Sequence, residues 1–135
     1  MVQVTPFLLV LNLALVAPSL SARKCVLTGR WSNDLGSNMT IAAVNGRGEF
    51  SGSYHTAVTA TTNEIQVSPL QGSQHLTNQK SHPAFGFTVK WSFSDSITVF
   101  TGQCYVDKKG REVLKTMWLL RSHQNDIKDD WKATR

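Results

Sequence analysis

The sequence predicts an all-β domain built as an antiparallel meander, either a sandwich or an up-and-down barrel. Three observations lead there. From Lys24 onward, short runs rich in β-branched and aromatic residues alternate with turn residues at regular spacing. No stretch is both long enough and periodic enough for a sizeable helix. The dipeptides Asn45-Gly46 and Lys109-Gly110 fall between such runs, where a positive φ suits tight hairpins.

In chain order, the first element is a leader. Phe7–Ala17 is an apolar run too short to cross a bilayer, and Pro18-Ser19-Leu20-Ser21 follows it with small residues at 19 and 21. The pattern predicts a signal peptide over residues 1–21, cleaved before Ala22, which makes 22–135 a single secreted domain. Strands are expected near 24–32, 38–45, 48–58, 64–71, 84–93, 96–106 and 112–121, with Pro69 and Pro83 punctuating the middle. No later stretch is apolar enough for a membrane span.

A secreted chain with two cysteines, Cys25 and Cys104, most simply forms one disulfide. Neither has a His or Cys at ligand spacing and the four histidines are scattered, so no metal site is expected. Asn38-Met39-Thr40 is a sequon, which predicts glycosylation at Asn38. The formal charge is +5, yet the cations are spread singly or in pairs, with no basic stripe beside stacking aromatics. Nucleic acid is therefore not an expected partner.

Alternation sorts the faces of 84–106. Phe85, Phe87, Val89, Trp91 and Phe93 share one face and look inward. In the next run the inward set is Ser96, Thr98, Phe100, Gly102 and Cys104, because Cys104 must reach Cys25 and Phe100 can meet Phe93 across the hairpin. Thr98 is then a hydroxyl deep among aromatics, which costs about 1–3 kcal/mol unless it finds a partner. Further polar groups gather near predicted strand ends: Ser32-Asn33 beside Trp31, Ser37, Thr56 beside Tyr54, and Thr59-Ala60-Thr61. Aromatics with a few convergent polar groups are the lining of a small-ligand pocket, and eight-stranded barrels can hold one such ligand.

The runs LTGRWSNDLGSNMTI, SGSYHTAVTATTNEI, FGFTVKWSFSDSITVFTGQC and EVLKTMWLL resemble the avidins, the biotin-binding family that includes streptavidin. The likeness extends from Ala22 to Arg135 almost without a gap. It implies an eight-stranded antiparallel up-and-down barrel, a homotetramer, and non-enzymatic, high-affinity capture of biotin. Biotin would be a bound ligand, not a cofactor, sequestered in a secreted, egg-white-like fluid as an antimicrobial withholding of a nutrient.

Carried over by position, the resemblance implies a partner for each polar group. Asn33, Ser37 and Tyr54 would donate to the ureido oxygen of biotin, and Thr56 would accept from a ureido N–H. Thr98 would contact the ring sulfur. Ser94, Ser96, the Thr59 hydroxyl and the backbone N–H groups of Ala60 and Thr61 would bind the carboxylate at the mouth. Trp91, Phe93, Phe100 and Trp118 would wall the bicyclic ring, and Trp131 would cap the pocket of a neighbouring subunit.

Two departures accompany the likeness. His55 stands where the family commonly has an aliphatic residue, although alternation turns it away from the pocket. The sequence ends at DDWKATR, where avidins continue into an eighth strand, so the domain is expected to be incomplete at this end, with its first strand and Met117–Leu120 left as unpaired edges. Other function classes fit less well. A hydrolase would need a nucleophile and base, but there is no Gly-x-Ser-x-Gly elbow and no His among the gathered polar positions. Asp126, Asp129 and Asp130 alternate with Lys128 and Lys132 as a solvated loop does. A lipocalin-like carrier of another apolar ligand is the alternative, but three converging donors ill suit it.

Overall fold

The computed structural model describes residues 24–56, 66–77 and 81–135; the expected signal peptide and Thr59, Ala60 and Thr61 lie outside the described residues. Seven strands are described: β1 (Gly29–Ser32), β2 (Asn38–Ile41), β3 (Glu49–Thr56), β4 (Gln66–Gln74), β5 (Ala84–Lys90), β6 (Ile97–Val106) and β7 (Glu112–Arg121). They form one antiparallel sheet in sequence order, curled into a half-barrel. The closed face holds Leu27, Met39, Ile41, Phe50, Leu70, Phe85, Phe87 and Val89 as one apolar cluster. Period-2 alternation is the cause: each of these positions faces the same side of its run, so curling the sheet buries them all at once.

All seven expected strands are present, and their ends differ for identifiable reasons. The ladder begins at Gly29 and not at Lys24, because 25–27 is held by other bonds. Cys25 donates its N–H to the Ser81 carbonyl (2.9 Å), Val26 donates to Glu112 Oε2 (2.6 Å), and Trp31 Nε1 donates back to the Leu27 carbonyl (2.8 Å). Pro69 lies within β4, opposite Ser53, and the strand continues to Gln74. The expected positive φ at Gly46 is found instead at Gly48 (84°), where a Cβ would meet the Gln74 carbonyl oxygen at 2.2 Å. At the other hairpin, Gly110 has the expected positive φ (80°).

Cys25 and Cys104 form the expected disulfide. The inward faces of β5 and β6 match the alternation, but Phe100 does not meet Phe93. Its cross-strand partner is Phe87, with ring centroids 4.7 Å apart. The reason is register: Phe93 falls beyond Lys90, where β5 ends, in the turn leading to β6.

The expectation that Met117–Leu120 is wholly unpaired needs correction at one end. After β7 the chain turns through a 3-10 helix, Ile127–Lys132, capped by the Asp126 carboxylate on the Lys128 N–H (3.0 Å). Ala133–Arg135 then returns along β7, with Leu120 and Arg135 exchanging two backbone bonds of 2.7 and 3.0 Å. The acidic residues of this segment are tied in ion pairs, Asp126 with Lys128, Asp129 with Lys132 and Asp130 with Arg121. Among the described residues no other strand pairs with the outer edge of β1.

Candidate ligand-binding site

Hairpin connections alternate between the two ends of a meander, so the turn after β1, the end of β3, the 91–96 turn and the start of β6 gather at one mouth. Behind them lies a cavity of about 750 Å³. Eleven of the expected site residues line it: Asn33, Ser37, Tyr54 and Thr56; Trp91, Phe93, Ser94 and Ser96; and Thr98, Phe100 and Trp118. Trp131 is not among the lining residues; it projects from the 3-10 helix with 81% of its surface exposed.

At one wall the donors are held in place by the turn between β1 and β2. Asn33 Oδ1 accepts the backbone N–H groups of Leu35 and Ser37, both at 3.0 Å. That commits the carbonyl end of the side chain and leaves its NH₂ as the group available to donate. Gly36 permits the turn with a φ of 88°. Ser37 is buried, and its hydroxyl lies against the Tyr54 phenol. Burial raises the Tyr54 pKa above its ordinary value, while the bond to Ser37 pulls the other way. Tyr54 is therefore a neutral O–H donor through and beyond neutral pH.

Tyr54 is fixed by aromatics, edge-on to Trp91 at 5.3 Å and stacked on Phe100 at 5.8 Å. Thr56, two residues further along β3 on the same face, has a buried hydroxyl without a partner among the described residues. A buried unpaired hydroxyl costs about 1–3 kcal/mol, so the site is energetically prepared for a polar ligand.

Thr98 is 3% exposed, and its hydroxyl accepts from Trp91 Nε1 at 2.7 Å. The hydroxyl among the aromatics is thus satisfied within the protein, and it also sets the tilt of the indole. At the rim, Ser94 and Ser96 hydroxyls stand 2.7 Å apart. Trp118 lines the side near the open edge and is 58% exposed. His55 faces away, its ring 3.0 Å from the Ser53 hydroxyl, as alternation requires.

The sequence reading missed several lining positions. Phe87 serves as both core and cavity floor, and Leu114, Thr116 and Leu120 add the inward face of β7. The signal was available: Leu114, Thr116, Trp118 and Leu120 share one parity, and Phe87 is opposite Phe100.

The avidin family model matches residues 21–135. Chicken (Gallus gallus) avidin is 72% identical over 128 residues, which cover 95% of this chain and 84% of that protein. Avidin-related protein 4/5 of the same species is 67% identical over the same shares. Among solved structures, xenavidin superposes with a TM-score of 0.76 at 54% identity, covering 84% of this chain and 92% of that one. A biotin-binding protein from chicken gives the same TM-score at 59% identity, covering 84% and 93%. Family model, identity and superposition agree with the meander and the disulfide: the chain belongs to the avidin family.

Proposed function

We propose that this chain captures biotin without catalysis, in the cavity at the mouth of the barrel. One observation carries the reading: three donors, Asn33, Ser37 and Tyr54, line the cavity together with a buried Thr56 hydroxyl that has no partner among the described residues. A cyclic urea needs that combination, an oxygen that takes several hydrogen bonds beside an N–H that seeks an acceptor. The aromatic walls supply apolar area at little entropic cost, and the prearranged donors need no reordering on binding. Membership of the avidin family supports the same ligand. Thr98 keeps its lone pairs partly engaged by Trp91 and presents the remaining hydroxyl capacity to the ring sulfur. Ser94 and Ser96, with Thr59, Ala60 and Thr61, take the carboxylate.

The wider reading is a secreted, disulfide-bonded homotetramer, glycosylated at Asn38, that withholds biotin from microbes. The exposed outer face of β6 and β7, with Ile97, Val99, Met117 and Leu119, supports self-association, because large apolar residues grouped on one face favour a partner. Trp131 then reaches a neighbouring cavity. Trp131→Ala is expected to speed biotin release in a protein verified as a tetramer by sedimentation, since buried aromatic anchors dominate such contacts. An unchanged off-rate removes Trp131 from the site.

The test of the ligand is a titration read by tryptophan fluorescence. Biotin is expected to quench it, and retinol or a fatty acid is not; the reverse would indicate a carrier of apolar ligands. Tyr54→Phe is expected to weaken biotin by about 1–3 kcal/mol with the fold intact. Calorimetry giving equal affinities for the two proteins would exclude Tyr54 as a donor.

A further inference from the structure

The β4–β5 register pairs Leu70 with Val89, so continuing it toward the mouth sets Pro69 opposite Lys90, Ser68 opposite Trp91 and Val67 opposite Ser92. The backbone ladder stops at Leu70 and Val89, one pair before Pro69. Proline has no N–H to donate, so the ladder cannot be carried through it in the usual way. Two serine side chains continue the pairing beyond that point. Ser68 Oγ accepts the Ser92 backbone N–H at 3.0 Å, and Ser92 Oγ donates to the Val67 carbonyl at 2.8 Å. Ser68 is completely buried, on the inward face shared with Leu70.

We infer that Ser68 and Ser92 are positioning residues for the carboxylate end of the ligand. Neither is among the residues that line the cavity. Their two bonds tie the start of the 91–96 turn to β4, and that turn carries Phe93, Ser94 and Ser96 to the rim. Within the turn, Ser94 Oγ accepts the Ser96 N–H (3.2 Å) and lies 2.7 Å from Ser96 Oγ. The hydroxyl pair is therefore ordered internally and held to the barrel from two sides, through Ser92 to β4 and through Ser96, which precedes β6 and whose carbonyl accepts the Trp91 N–H at 3.4 Å. Trp91 has an independent anchor in Thr98, and Phe100 and Trp118 stand on β6 and β7, so loosening the Ser68–Ser92 clamp frees the rim hydroxyls and Phe93 beside them and leaves the rest of the ring-binding wall in place.

The inference rests on biotin as the ligand, and its test separates the two. Ser68→Ala and Ser92→Ala are compared with the unaltered chain for binding of biotin and of biotin methyl ester, whose carboxylate is blocked. Ser68→Ala is expected to weaken biotin about tenfold, mainly in the off-rate, and the ester, which feels only the shift of Phe93, by about threefold or less. Ser92→Ala, which keeps the Ser92 N–H bond, is expected to act in the same direction and less. Equal losses for both ligands, or no loss for biotin, would overturn the role. Hydrogen exchange of the Ser92 amide, measured without ligand, is expected to quicken in Ser68→Ala; unchanged exchange overturns the clamp whatever the ligand proves to be. If the unaltered chain binds neither compound, biotin itself is the wrong ligand.

Discussion

Replacing Cys25 and Cys104 together by alanine is expected to lower stability by about 2–4 kcal/mol. The bond joins residues 79 apart, and linking so long a loop removes much of the freedom of the unfolded chain. It also acts where the sheet offers least support. Residues 24–28 belong to no strand, and this run feeds the edge strand β1. Without the disulfide, Leu27 stays in the core only through its own burial and a few hydrogen bonds, including the one from Trp31 Nε1. Both sulfurs are fully buried, so alanine adds a packing loss to the entropic one. The measurement is urea unfolding of the two proteins under non-reducing conditions. A midpoint unchanged by the double substitution would mean that the edge is held by the sheet alone. Cys104 lies near the end of β6 away from the mouth, so biotin quenching of the folded variant is expected to persist.

The legible part of this fold was the part set by local pattern. Strict alternation in 84–89 and 98–104 identified the buried sides of β5 and β6, because a pleated strand leaves no other choice. The ends of the strands were less legible, since they depend on what lies opposite. Nothing in residues 90–93 says that β5 stops at Lys90; the ladder to β4 ends at Val89, one pair before Pro69, and the ladder to β6 ends where Lys90 meets Ile97. The Phe93–Phe100 contact failed for the same reason, since register decided it and Phe87 stood opposite.

In the site, the polar residues stood out against the alternation and by likeness to the avidins, and the fold brought Asn33, Ser37, Tyr54 and Thr56 to one cavity. What no single run could reveal was the pairing among them. Thr98 looked like a hydroxyl awaiting a ligand, yet Trp91 already occupies one of its lone pairs. The two stand seven positions apart in sequence, and only the turn between β5 and β6 makes them neighbours. Ser68 and Ser92 were invisible for a stronger reason, being 24 residues apart and conspicuous only once Pro69 is seen to interrupt the ladder between them.

Phe87→Ala is expected to have the largest effect of any single substitution considered, about 3–5 kcal/mol of stability. The ring is almost completely buried and makes contact on three sides: Phe100 at 4.7 Å, Phe85 at 6.0 Å and Phe50 at 6.4 Å between centroids. Removing it leaves a void between strands whose neighbouring glycine cannot be replaced to fill it. A Cβ at Gly72 would lie 2.1 Å from the Gly86 carbonyl oxygen and 2.5 Å from the Phe87 Cβ, so the backbone is already at closest approach. The void also opens into the ligand cavity, because Phe87 is part of its floor. Phe100 would lose its stacking partner, and through Phe100 the Tyr54 ring would lose one of its two aromatic supports. Affinity for biotin should therefore fall along with stability, even at temperatures where the variant remains folded. Phe93 supplies the comparison: it lines the same cavity but is half-exposed at the rim, so Phe93→Ala should cost under about 1 kcal/mol of stability while still weakening the ligand. Denaturant midpoints and biotin titrations of the two variants test the distinction. Equal losses of stability at positions 87 and 93 would show that the aromatic stack is not what holds the floor of the site.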